Sequence, residues 1–172
     1  MSKIIIICGL PGSGKTTLAG ELSTQLNIFC LHKDSIKETL YGIQKCSTLN
    51  DSKRLGIQSI KILLSLAEEH IKRGVDVIIE APFNFPEDYP LFENWMKNYG
   101  VDIFSVICLI SQKKREERIK NRKRHDSHHD IERSFDYLKN EFDYKNIPGK
   151  QIRIETNKPV EELVKYITVN IN

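Results

Sequence analysis

The chain of 172 residues is 40% hydrophobic and 28% charged and carries a formal net charge of +3 at pH 7, which suits one self-sufficient globular domain. No apolar run approaches the roughly 20 residues of a membrane span, and the short apolar start lacks a small-residue cleavage site, so a membrane-free, cytoplasmic protein is expected. Cys8, Cys30, Cys46 and Cys108 form neither a CxxC pair nor a metal-ligand spacing, which points to a reduced compartment and to thiols acting as small hydrophobes.

Lys3 to Cys8 is an almost purely aliphatic run, the pattern of a strand buried on both faces of a parallel sheet. A glycine-rich turn leads into a predicted helix from Lys15 to about Leu26, along which Leu18, Leu22 and Leu26 recur every four residues. A short strand is expected over Ile28–His32, then a helix from an N-cap at Asp34 to about Tyr41, stopped by Gly42. Asp51 or Ser52 is expected to cap a long helix with Leu55, Ser59, Ile60, Leu63, Leu64, Ala67 and Ile71 facing inward, ending at Gly74. Val75–Glu80 reads as the third strand, Pro82–Pro86 as a loop, about Glu87–Tyr99 as a helix closed by Gly100, and Asp102–Ile110 as the fourth strand.

The next segment holds the charge asymmetry. Between Gln112 and Asp130 stand eight Lys/Arg and four Asp/Glu, against 18 basic and 19 acidic residues elsewhere. This run reads either as a solvated helix face or as an arm that meets polyphosphate. A helix from about Ile131 to Tyr144, a turn at Pro148 and Gly149, a strand over Gln151–Glu155 and a helix from Pro159 to about Thr168 complete the chain. Strands alternating with helices predict a three-layer α/β/α sandwich with a mainly parallel, five-stranded sheet, as a single domain over 1–172.

The turn after the first strand carries the most specific pattern. Gly9, Leu10, Pro11, Gly12, Ser13, Gly14, Lys15 and Thr16 satisfy GxxxxGK[ST], the phosphate-binding loop of nucleoside triphosphate proteins. A turn between a buried strand and a helix N-terminus aims consecutive backbone N–H groups at one anion, and glycines permit the close approach. Lys15 is expected to bridge the β- and γ-phosphates, and Thr16 to place its hydroxyl on Mg²⁺. GTPases usually add an NKxD signature, but after Asn157 and Lys158 the Asp position holds Val160. A ring-forming ATPase needs a further helical domain for which the chain has no room, so a compact kinase is favoured.

Four blocks together carry a resemblance over essentially the whole length: GLPGSGKTT at Gly9–Thr17, HKDSIKETLYG at His32–Gly42, DVIIEAPFN at Asp76–Asn84 and REERIKNRKRHDSHHD at Arg115–Asp130. The chain resembles the small P-loop kinases that gather polynucleotide kinases, zeta-toxin-like kinases and chloramphenicol-phosphotransferase-like proteins, with an AAA-type ATP-binding domain. The resemblance implies that Asp34 faces the acceptor hydroxyl as general base or hydrogen-bond acceptor, a role that capping can accompany. Lys37, one turn along, either binds an anionic part of the acceptor or lies in solvent. Glu80 stands where related enzymes carry the Walker-B carboxylate of the Mg²⁺ shell; Glu in place of the commoner Asp leaves metal shell or acceptor open. Phe83 and Asn84, with Pro82 and Phe85, either contact the acceptor or tuck under the sheet.

The same resemblance implies an arginine-bearing lid over about 112–130, with Arg118 and Arg122 on the phosphates and Arg115 and Arg124 as further candidates. His125, His128 and His129 read as a polar lid tip rather than a zinc site. Thr156 and Asn157, with Lys158, are implied at the adenine edge, alongside Pro11, Ser13 and Thr17 around the phosphates. The sequence is therefore expected to encode a kinase that uses ATP and Mg²⁺ to phosphorylate a hydroxyl of a small molecule, as a monomer or homodimer. A polynucleotide 5′-hydroxyl kinase and a slowly hydrolysing nucleotide switch are the alternatives; the neutral remainder of the chain speaks against a long nucleic-acid track.

Overall fold

The structure is a computed structural model, and it describes residues 2–44, 48–121, 125, 127, 142 and 144–171. Strands β1 (Lys3–Cys8), β2 (Cys30–His32), β3 (Val77–Glu80), β4 (Asp102–Leu109) and β5 (Lys150–Glu155) form one sheet in the order β2-β3-β1-β4-β5. Every pairing is parallel. Around it lie helices α1 (Lys15–Leu26), α2 (Lys33–Gln44), α3 (Leu49–Lys72), α4 (Tyr89–Tyr99), α5 (Gln112–Asn121) and α6 (Val160–Ile171). Among the described residues no helix is long and apolar enough to cross a membrane.

The alternation of side chains along each strand decides which layer each residue joins. Ile4, Ile6 and Cys8 of β1 point to one face, with Leu63 and Ala67 of α3 and Phe92 and Trp95 of α4. Ile5 and Ile7 point to the other, with Leu18 and Leu22 of α1 and Leu163 and Ile167 of α6. The chain thus leaves β1 toward the α1 face and leaves β3 toward the α4 face. Adjacent parallel strands whose exits diverge in this way open a crevice at their carboxyl ends, where open α/β sheets bind ligands.

Helix α2 runs through Gly42, its predicted stop, to Gln44, and four other boundaries depart from the sequence expectation for a local reason. Strand β2 starts at Cys30, not Ile28, because Asn27 is left-handed (φ 53) and the Ile28 amide still bonds back to the Ser23 carbonyl, closing α1. Helix α3 begins at Leu49, and its N-cap is Thr48 rather than Asp51 or Ser52: the Thr48 hydroxyl accepts the Asp51 N–H (3.1 Å) and the Asp51 carboxylate accepts the Thr48 N–H (3.2 Å). Strand β3 starts at Val77 because the Val75 amide bonds the His70 carbonyl, closing α3. A 3-10 turn at Pro86–Asp88 precedes α4, which begins at Tyr89 with Pro90 in its first turn. The helix expected over about 131–144 lies outside the described residues except for Phe142 and Tyr144; Tyr144 has φ 53 and is not helical.

The α3/α4 face is anchored by aromatics. Phe92 is fully buried, with ring centroids 5.5 Å from Phe83 and 5.5 Å from Trp95. Phe92→Ala is expected to cost about 3–5 kcal/mol, because neighbouring rings cannot collapse into the hole. Urea unfolding followed by Trp95 emission measures it directly, since the chain has one Trp.

Candidate functional site

The loop between β1 and α1 is shaped by two glycines in conformations other residues resist. Gly14 (φ 85) is the N-cap of α1, with no side-chain cap and no acidic residue in the first turn. The opening amides of α1 therefore point out of the helix end toward the crevice, which is the arrangement that receives an anion. Gly12 (φ 80) lies so close to the start of α5 that an added Cβ would sit 2.9 Å from the Arg115 carbonyl oxygen.

Facing these amides is a cluster built by strand register. Ile7 of β1 pairs with Glu80 of β3, and His32 of β2 pairs with Glu80 from the other side. Glu80 shares the α1 face with Ile78, two residues earlier. Its carboxylate is consequently 1% exposed yet surrounded by donors: Oε1 lies 3.7 Å from the Lys15 ammonium and 3.5 Å from the Thr16 hydroxyl, and Oε2 lies 3.2 Å from His32 Nδ1. A carboxylate buried at a sheet edge is retained only with such partners. The adjacent oxygens of Thr16 and Glu80 are hard donors of the kind Mg²⁺ prefers, and these two residues would hold it. The donor set fits that ion.

Arg118 of α5 closes the opposite wall. Its guanidinium donates to the Thr156 carbonyl (2.7 Å), the Thr156 hydroxyl (3.4 Å) and the Gly12 carbonyl (3.5 Å), while the Thr156 hydroxyl donates to the Ser13 carbonyl (2.5 Å). A cavity of about 780 Å³ lies between α1, α5 and the turn after β5, lined among others by Gly14, Lys15, Thr16, Thr17, Arg118 and Thr156. It is roomy enough for a nucleotide. Lys158 lines this cavity, whereas Asn157 lines a second cavity of about 550 Å³ with Ser13 and Arg153. The Asn157 side-chain amide donates to the Glu155 carboxylate (3.4 Å).

Asp34 occupies the first turn of α2, which begins at Lys33, so it is not the N-cap; its carboxylate lies 3.0 Å from the Lys33 ammonium. Lys37 is corrected by its burial on the reading as solvated surface. It is 3% exposed and donates to Ser52 Oγ (2.8 Å), which donates to the Ser127 carbonyl (2.9 Å), so it joins α2 to α3 and to residue 127. Phe83 takes the second of its two readings: its ring is 1% exposed inside the α4 layer, leaving half-buried Asn84 and exposed Phe85 on the loop. Arg122, Arg124, His128 and His129 lie outside the described residues. Arg115 is buried, and His125 meets Tyr41 edge-on at 5.4 Å. His32 carries no role in the sequence reading; only the β2–β3 register brings it in.

Burial also sets the thiols. Cys30 and Cys108 are each pushed up to about 12, chiefly by burial, with the Glu80 carboxylate adding to the rise, and Cys8 is raised well above the ordinary thiol value by burial and by Cys108. These folded values exceed the unfolded thiol value near 9, so the stabilisation is complete below about pH 9 and is lost as pH rises toward about 12. Melting temperature is expected to fall steadily across that interval, and native protein at pH near 8 should alkylate at these three positions far more slowly than urea-unfolded protein.

The comparisons with known proteins come to the same fold. A family profile described as AAA domain matches residues 4–143. Comparison with curated proteins found no match. Among solved structures, a protein of Chloroflexus aurantiacus j-10-fl described as a candidate kinase is 26% identical, with 99% of each chain covered and a TM-score of 0.85. The APS kinase of Mycobacterium tuberculosis, solved with AMPPNP and APS, is 16% identical over 99% of this chain and 97% of that one, with a TM-score of 0.63. The deoxyadenosine kinase of M. mycoides is 18% identical over 99% and 98%, with a TM-score of 0.60. At these identities the last two share the fold, which is that of small P-loop kinases.

Proposed function

The chain belongs to the AAA domain family, and from that premise we propose that it is an ATP-dependent phosphotransferase moving the γ-phosphate of Mg·ATP to a hydroxyl of a small molecule, as a single kinase domain with a lid over about 112–130. The observation that carries the reading is the meeting of Lys15, Thr16 and Glu80 at the carboxyl ends of β1 and β3, beside the uncapped amides of α1. Phosphoryl transfer asks little covalent chemistry of the protein; it asks for positioning and for positive charge where the transferring group develops negative charge.

In this reading the amides of residues 12–16 hold the β- and γ-phosphates, and Lys15 turns from Glu80 onto their oxygens. Thr16 and Glu80 would hold Mg²⁺, whose charge would screen the phosphates. Arg118 closes over the nucleotide from α5, backed by Thr156, with Arg122 as the second lid arginine. Asp34 accepts the hydrogen bond of the acceptor hydroxyl and aligns its oxygen with the γ-phosphorus, an arrangement worth several powers of ten in effective concentration. Asn84 lines the acceptor's path.

An acceptor screen tests this. ADP release would be followed with nucleosides, sugars, antibiotics and short oligonucleotides in turn. At least one small hydroxyl compound is expected to raise turnover far above the water background and to emerge phosphorylated. Stimulation by oligonucleotides alone, or by nothing, would reject the small-molecule kinase.

A further inference from the structure

His32 has no part in the transfer scheme above, yet its placement is specific. It ends β2 beside Glu80 in the parallel register, and the alternation that sends Leu31 into the α3/α4 layer turns His32 to the α1 face. Lys33 and Asp34 follow it at once, so one backbone end serves both metal and acceptor sides.

The carboxylate of Glu80 has its two oxygens assigned to different neighbours. Oε2 is held by His32 Nδ1 at 3.2 Å, and Oε1 faces Thr16 and Lys15 at 3.5 and 3.7 Å. Lys15 alone would favour a carboxylate turned with both oxygens toward the ammonium, which withholds the lysine from phosphate and the second oxygen from any cation. A donor fixed on Oε2 prevents that rotation. Metal sites commonly depend on such outer partners to aim a ligating group.

We propose that His32 is a positioning residue of the nucleotide and metal site: by donating from Nδ1 to Glu80 Oε2 it presents Oε1 to the Mg²⁺ that Thr16 helps to hold. The inference rests on the Mg·ATP reading of the site. It requires the imidazole to carry its proton on Nδ1, a tautomer the carboxylate itself selects.

The test compares the parent with His32→Leu and His32→Asn. Mn²⁺ binding is measured by electron paramagnetic resonance with a non-hydrolysable ATP analogue present, and analogue binding in EDTA by calorimetry. His32→Leu is expected to weaken Mn²⁺ binding by about 10–100-fold while leaving analogue affinity in EDTA unchanged. His32→Asn should recover most of the loss, because its side-chain amide N–H₂ can stand near the vacated Nδ1. Equal Mn²⁺ affinity in His32→Leu and parent overturns the proposal, and so does an equal loss of analogue binding with and without metal, which marks a packing role. Should the parent bind the analogue with no dependence on metal, the Mg·ATP reading itself fails, a result distinct from failure of His32 alone. Should His32→Leu not fold, the parent's imidazole nitrogen resonances decide: a protonated Nδ1 supports the proposal, and a bare Nδ1 overturns it.

Discussion

Lys15→Ala is expected to weaken Mg·ATP binding by about 10–100-fold, the value of a hydrogen bond to a charged group, and to lower phosphoryl transfer by roughly 10²–10³ beyond that, the usual cost of removing a donor aimed at developing charge. The ammonium now lies 3.7 Å from Glu80 with its side chain 9% exposed, so it is held at the mouth of the amide cradle and needs only a side-chain rotation to reach phosphate. Losing it leaves Glu80 with His32 and Thr16 as partners. Melting curves therefore accompany the kinetics, and Lys15→Met, which keeps the packing of the aliphatic stem, should show the same kinetic loss. Calorimetry with Mg·ATP and coupled ADP release give the two numbers.

Asp34→Asn is expected to remove a different quantity. With whichever acceptor the screen identifies, the acceptor-dependent rate should fall by about 10²–10⁴, the range for a positioned general base, while the affinity for ATP and the water background stay unchanged. The geometry separates the two sites: Asp34 is in the first turn of α2, with its carboxylate 29% exposed and Lys33 at 3.0 Å, whereas the phosphate cradle is made by residues of α1 and the loop before it. A fall in ATP affinity to match the fall in rate would place Asp34 in nucleotide binding and remove it from the acceptor. Steady-state kinetics varying ATP and acceptor separately make the distinction.

The parts of this fold governed by local pattern could be read directly from the residues. The aliphatic run of β1, the glycine loop and the 12 residues of α1 fall where the sequence puts them, because a buried parallel strand and a glycine-opened helix start are written in contiguous residues. The inward stripe of α3 is likewise present at Leu55, Ser59, Leu63, Leu64, Ala67 and Ile71, since 3.6-residue periodicity survives any change of cap. What escaped was what tertiary contacts decide. A lysine one turn from Asp34 reads as a ligand or as surface, but Ser52 of α3, itself bonded to the Ser127 carbonyl, gives Lys37 a partner from a distant segment, so it can be buried. Phe83 next to Asn84 reads either as a loop contact or as a ring tucked under the sheet, and only φ 43 at Phe83, which drops its ring between α4 and the sheet, decides between them. Likewise, no spacing announces His32, whose meeting with Glu80 depends on a three-residue strand falling into parallel register.

The account turns on the backbone amides at the start of α1 receiving the phosphates of ATP. Titrating Mg·ATP into isotope-labelled protein and following the backbone amide resonances reports on those groups one by one. Large shifts at Gly12, Ser13, Gly14, Lys15 and Thr16, saturating together with the calorimetric affinity, are the predicted result. Saturable binding of Mg·ATP that leaves those five resonances unmoved would contradict it.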